Sequence, residues 1–81
     1  MCAMVRPTQE WQSRVRGLLR AELAKRDLTY GQLVERLAAI GVKESEQNVA
    51  NKLSRGTFTA AFFVACLDAI DCRVLRLRED D

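Results

Sequence analysis

Histidine is absent from this 81-residue chain, and with it go the commonest metal ligand, the Ser/His and Cys/His nucleophile pairs and the usual neutral-pH proton shuttle. Most enzyme chemistry is lost at once, so no enzymatic activity, metal or other cofactor is expected. Cysteine is scarce too. Cys2, Cys66 and Cys72 show no CxxC spacing, and an odd number fits free thiols in a reducing cytoplasm better than a disulfide framework. No stretch approaches the roughly 18 apolar residues of a membrane span, and the first residues lack a signal peptide's apolar core. A cytoplasmic protein without membrane contact is the expectation. Proline occurs once, at Pro7, and no segment is repetitive or of low complexity. The acids Glu44 and Glu46 flank a helix start, where unpaired backbone N–H groups stabilise carboxylates, so capping accounts for them without catalysis.

What remains is 48% hydrophobic and 30% charged, a balance that suits one compact domain, because two cores do not fit in a chain of this size. The net charge is +2, too small by itself to mark a nucleic-acid binder. Its distribution is more informative: residues 1–27 are net basic, whereas residues 59–81 are net acidic. Such an asymmetry can orient a domain on a polyanion, and it equally suits ordinary solvated helix faces.

Four helices are legible from periodicity and caps. The first runs from Thr8 to about Arg26, with Trp11, Val15, Leu18, Leu19, Glu22 and Leu23 spaced by threes and fours. That spacing puts Trp11 in the core, with a partner surface as its alternative. The second opens on a capping box, Thr29 with Gln32, and a staple of Leu28 on Leu33. It buries Leu33, Val34, Leu37 and Ile40 and stops at Gly41. Ser45 caps the third, which closes at Gly56. Thr59 caps the fourth, Phe58 staples onto Phe63, and Phe62, Cys66, Leu67 and Ile70 complete its apolar face. From Cys72 to Arg78, Leu75 and Leu77 alternate with arginines, which predicts either a short strand pairing with a two-fold mate or another partner, or a frayed end. Residues 1–7 are expected to be a flexible leader, and Glu79, Asp80 and Asp81 to be solvated.

The third helix carries the functional reading. At about 100° per residue, Val49, Ala50, Leu53, Glu46 and Lys52 cluster on one side, while Gln47, Asn51 and Ser54 face the other, flanked by Asn48 and Arg55. Amide side chains offer a donor and an acceptor together and match adenine N6 and N7 in a major groove, where acids are repelled by phosphate. An exposed helix with no ligand has the same composition.

The order of these segments, LTYGQLVERLAAIG, SEQNVANKLSRG and TFTAAFFVACLDAI, resembles the lambda-repressor-like helix-turn-helix domains of bacterial and phage regulators. Leu28 to Leu37 look like that family's second-helix opening, and Lys52 to Gly56 like the end of its recognition helix. Thr59 to Ile70 look like the helix that follows, so the likeness spans residues 28–71. Between Leu37 and Leu53 the chain is about six residues longer than that pattern. Tyr30 stands where a polar, phosphate-binding residue is usual, Ala50 where a larger apolar one is, and Asp71 where glycine is. The phrase NVANKLSRGTFTAAFF also resembles a family of small bacterial domains of unknown function with the same helical plan.

Together these readings predict an all-α, four- to five-helix domain over residues 8–71 with a tail over 72–81. The resemblance implies sequence-selective binding of double-stranded DNA by a homodimeric transcription regulator. Gln47, Asn48 and Asn51 would read bases. Lys52 and Arg55, with Thr29, Tyr30 and Gln32 at the second helix's N-terminus, would contact phosphate. The alternative is a protein-interaction module on the same scaffold, meeting a phage factor, an antitoxin-like partner or the transcription machinery.

Overall fold

The computed structural model describes residues 7–78. Residues 1–6 of the expected leader, with Cys2, and the acidic Glu79, Asp80 and Asp81 lie outside the described residues. Four helices form: α1 (Pro7–Lys25), α2 (Tyr30–Ala39), α3 (Glu46–Arg55) and α4 (Ala60–Ala69). Pro7, expected in the leader, begins α1 instead; proline suits a first helical position because it has no N–H to leave unpaired.

The starts of α2, α3 and α4 are set by side-chain caps. Thr29 Oγ1 accepts from the Gln32 backbone N–H at 3.1 Å while Gln32 Oε1 accepts from the Thr29 N–H at 2.8 Å, which completes the capping box of α2. Ser45 accepts from the Asn48 N–H at 3.0 Å, and Thr59 from the Phe62 N–H at 3.0 Å. Each bond satisfies one of the donors that a helix start leaves open.

The stops are as local as the starts. At the end of α2, Val42 N–H donates to Leu37 O and Gly41 N–H to Ala38 O, with Gly41 at φ +86°. This paired motif turns the chain sharply and brings the next apolar residue back onto the helix. Val42 thereby packs on the core, and Ile40, expected inside, is left 43% exposed. The same motif closes α1 and α4, where Leu28 donates to Leu23 and Cys72 to Leu67. There the left-handed residue is an aspartate, Asp27 at φ +56° and Asp71 at φ +64°. Asp71 thereby occupies a conformation in which glycine is the usual residue, since a short polar side chain is among the few that visit this region.

One core joins the helices. Leu19 and Leu23 of α1, Leu33 and Leu37 of α2, Val49 and Leu53 of α3, and Phe62, Cys66 and Ile70 from α4 and its end are buried together. α2 packs on α3 and α4, and α1 packs on the same two helices. Phe58 stacks on Phe63 with centroids 5.9 Å apart. Trp11 departs from expectation at 60% exposed. With 19 residues α1 is nearly twice as long as its ten-residue neighbours, so the shared core cannot cover its first turns. The Arg14 guanidinium lies 5.5 Å from the Trp11 ring centroid instead.

Glu22, read as part of the apolar stripe of α1, is indeed buried, at 6% exposure. Its charge is met by Arg26 at 2.7 Å and Lys25 at 3.2 Å, and the Cys72 thiol donates to it at 3.6 Å. The Arg26 bond outweighs burial and holds the Glu22 carboxyl below its ordinary value of 4.5. A lowered folded-state value contributes stability that is complete above the unfolded value and is lost as pH falls through the folded one. Glu22→Gln is expected to cost about 1–2 kcal/mol at pH 7, modest because both cations reach solvent. The gap from the natural protein should narrow below pH 4.5. Equal losses at pH 7 and pH 3 in thermal melts would refute the ionic account.

No strand forms among the described residues. Within one chain, the helices offer residues 72–78 no sheet edge to join. The tail runs back along α1 instead, with Arg14 Nη2 donating to the Leu77 carbonyl at 3.1 Å and Leu75 half-buried.

Candidate nucleic-acid interface

Ser45 and Gly56 bound α3, and its two sides differ by design of sequence. Val49 and Leu53 are fully enclosed in the core, which turns the opposite side outward. Gln47, Asn48, Asn51, Ser54 and Arg55 are all exposed. Gln47 Nε2 approaches Asn51 Oδ1 at 3.5 Å across one turn, at the long limit of a hydrogen bond, so both amides keep capacity for another partner. The three residues expected to face bases thus share one open surface, and no carboxylate lies among the five.

The expected phosphate contacts divide. Arg55 stands on the rim of this face and enters no ion pair among the described residues. Lys52 turns the other way: its ammonium binds Glu44 at 2.7 Å and sits 4.4 Å from the centroid of the Phe62 ring. The pair ties the α2–α3 connection down onto α4 and leaves Lys52 committed within the protein. Thr29 and Gln32 accept each other's backbone N–H through their side-chain oxygens in the capping box and remain exposed, so the Thr29 hydroxyl and the Gln32 amide keep their donors, while Tyr30 packs half-buried against the core. The Glu46 carboxylate lies beside Gly31, its Oε1 within 3.3 Å of where a Cβ would stand. The start of α2 therefore already has an acid beside it, which lessens its pull on an external anion.

A second cationic feature escaped the sequence reading. Gln12, Ser13 and Arg16 of α1 meet Arg55 around a notch of about 280 Å³ beside the C-terminal end of α3. Arg16 donates from its guanidinium to the Ser54 carbonyl, one of the acceptors a helix end leaves open. The contact is possible because α1 and α3 meet at Gly56, where an added Cβ would stand 2.6 Å from the Gln12 carbonyl oxygen. The only signal in the sequence was the basic excess of residues 1–27; pairing with Arg55 depends on how two helices pack. A larger groove, about 570 Å³, runs between α1 and the tail. Two of its cations are already engaged, Arg14 with the Leu77 carbonyl and Lys25 with Glu22.

The two thiols among the described residues offer no activated nucleophile. Burial pushes Cys66 up to about 12, and Glu44 adds to the effect. Cys72 is likewise held above its usual value by burial and by Glu22. Among the described residues no three metal-ligating side chains gather, and no helix is long and apolar enough to cross a membrane.

Fold and surface define a small all-helical domain that presents one short, amide-rich helix flanked by arginine. The chain belongs to the family of the domain of unknown function DUF6471, which matches residues 11–75. No curated protein and no solved structure matches it.

Proposed function

We propose that this protein binds double-stranded DNA with sequence preference and acts in the cytoplasm as a small transcription regulator on the lambda-repressor-like plan. The observation that carries the reading is the open face of α3, with Gln47, Asn48 and Asn51 exposed together and no carboxylate among them. A helix of ten residues fits a major groove about 12 Å wide. The amides meet base edges and Arg55 meets the backbone, so the first set selects sequence and the second supplies general affinity. A single module buries too little surface for tight binding, hence a two-fold pair on a symmetric site.

Selection from a random duplex library at two salt concentrations tests this, with a two-fold symmetric motif as the expected product. On that site Asn51→Ala should cost about 1–3 kcal/mol of binding and leave the melting temperature unchanged, whereas Arg55→Ala should weaken all duplexes alike. Duplex binding that neither substitution alters refutes the groove assignment.

A protein-interaction role is the second reading, favoured by the exposed Trp11, Val74 and Leu77. An apolar protein interface responds little to salt, whereas duplex affinity falls with a slope of about −0.9 per neutralised phosphate.

A further inference from the structure

We infer that the notch between α1 and α3 is a phosphate-binding site for the duplex backbone, built from Ser13, Gln12 and Arg16 together with Arg55. The inference rests on the duplex reading above and adds a backbone contact at the C-terminal end of α3. Arg16 and Arg55 both line one small space, and two like charges facing one space favour an anion there. Among the described residues no carboxylate lines the notch. Arg16 commits a donor to Ser54 O; a guanidinium has five N–H donors in a fixed fork, so the rest remain available in an orientation that this bond helps to set. The Ser13 hydroxyl and the Gln12 amide add neutral donors of the kind that phosphate oxygens accept. Location supports the same assignment. Arg55 shares a flank of α3 with Asn48, so a backbone passing the notch places its bases before the amide face.

The test is duplex binding against salt concentration for the full chain and three variants. Arg16→Gln should make the slope of log K against log salt shallower by about 0.9 and weaken every duplex alike. Ser13→Asp, which leaves the Ser54 bond in place, should do the same by supplying the notch with its own anion. It decides the matter if Arg16→Gln does not fold. Arg73→Gln removes an equal charge from the tail, next to Asp71, and should leave the slope unchanged. If the natural protein binds duplex while both notch variants keep its slope and affinity, the inference is overturned and the groove reading stands. An equal change in Arg73→Gln also overturns it, because net charge would then explain the effect. If the natural protein binds no duplex even at low salt, both fall together.

Discussion

Leu53→Asp unfolds the protein. Leu53 is completely enclosed, so losing its side chain alone costs about 2–5 kcal/mol. The new carboxylate adds several more, because the surrounding leucines offer it no donor. A domain of this length holds roughly 4–12 kcal/mol in total, so the loss consumes most or all of the stability. Far-ultraviolet circular dichroism should show little helix and no cooperative melt at neutral pH. Asn51→Asp puts the same charge two residues away on the exposed side and should shift stability by no more than about 0.5 kcal/mol. Similar melts for the two variants would mean that α3 is not seated by this face.

Gly56→Ala is the second large loss, and it has two separable causes. At φ +69° a residue with a Cβ suffers roughly 1–2 kcal/mol of backbone strain. The added carbon would also stand 2.6 Å from the Gln12 carbonyl oxygen, and backbone at that distance must move. A total of about 3 kcal/mol or more is expected, lowering the melting temperature by about 12 °C or more. Gly41→Ala separates the two causes, because Gly41 also has positive φ, +86°, but nothing lies within 4 Å of its would-be Cβ. It should suffer the strain alone. Equal losses at the two glycines would show that α1 and α3 do not meet at Gln12. Where Gly56→Ala remains folded, the displaced α1 should also carry Arg16 away from Ser54.

The features read well from sequence are those decided within a few residues. Thr29 with Gln32, Ser45 and Thr59 act on donors three positions away, and Gly41 and Gly56 respond to their own backbone angles. Leu33, Leu37, Val49 and Leu53 repeat at the helical period, so the outward placement of Gln47, Asn48 and Asn51 followed from the same geometry. The misplacements came from longer reach. Ile40 fitted the period but fell at the turn, where Val42 folds back in its place. Trp11 fitted it too, but α1 extends beyond the core that would have covered it. Lys52 lay on the buried edge of the wheel, yet its attachment to Glu44 and Phe62 depends on how the α2–α3 connection settles against α4. The notch of Ser13, Arg16 and Arg55 needs two helices 38 residues apart at Arg16 and Ser54 to touch, which no local pattern encodes. The tail's alternation forms no strand within one chain, whose helices offer it no edge.

Cys66 has a practical consequence. Its sulfur is wholly enclosed and its proton is held to about pH 12, so an alkylating reagent, which attacks the thiolate, reaches it only when the helices part. Its labelling therefore tracks global opening. The protein carries its own clock for unfolding in the absence of any dye or denaturant.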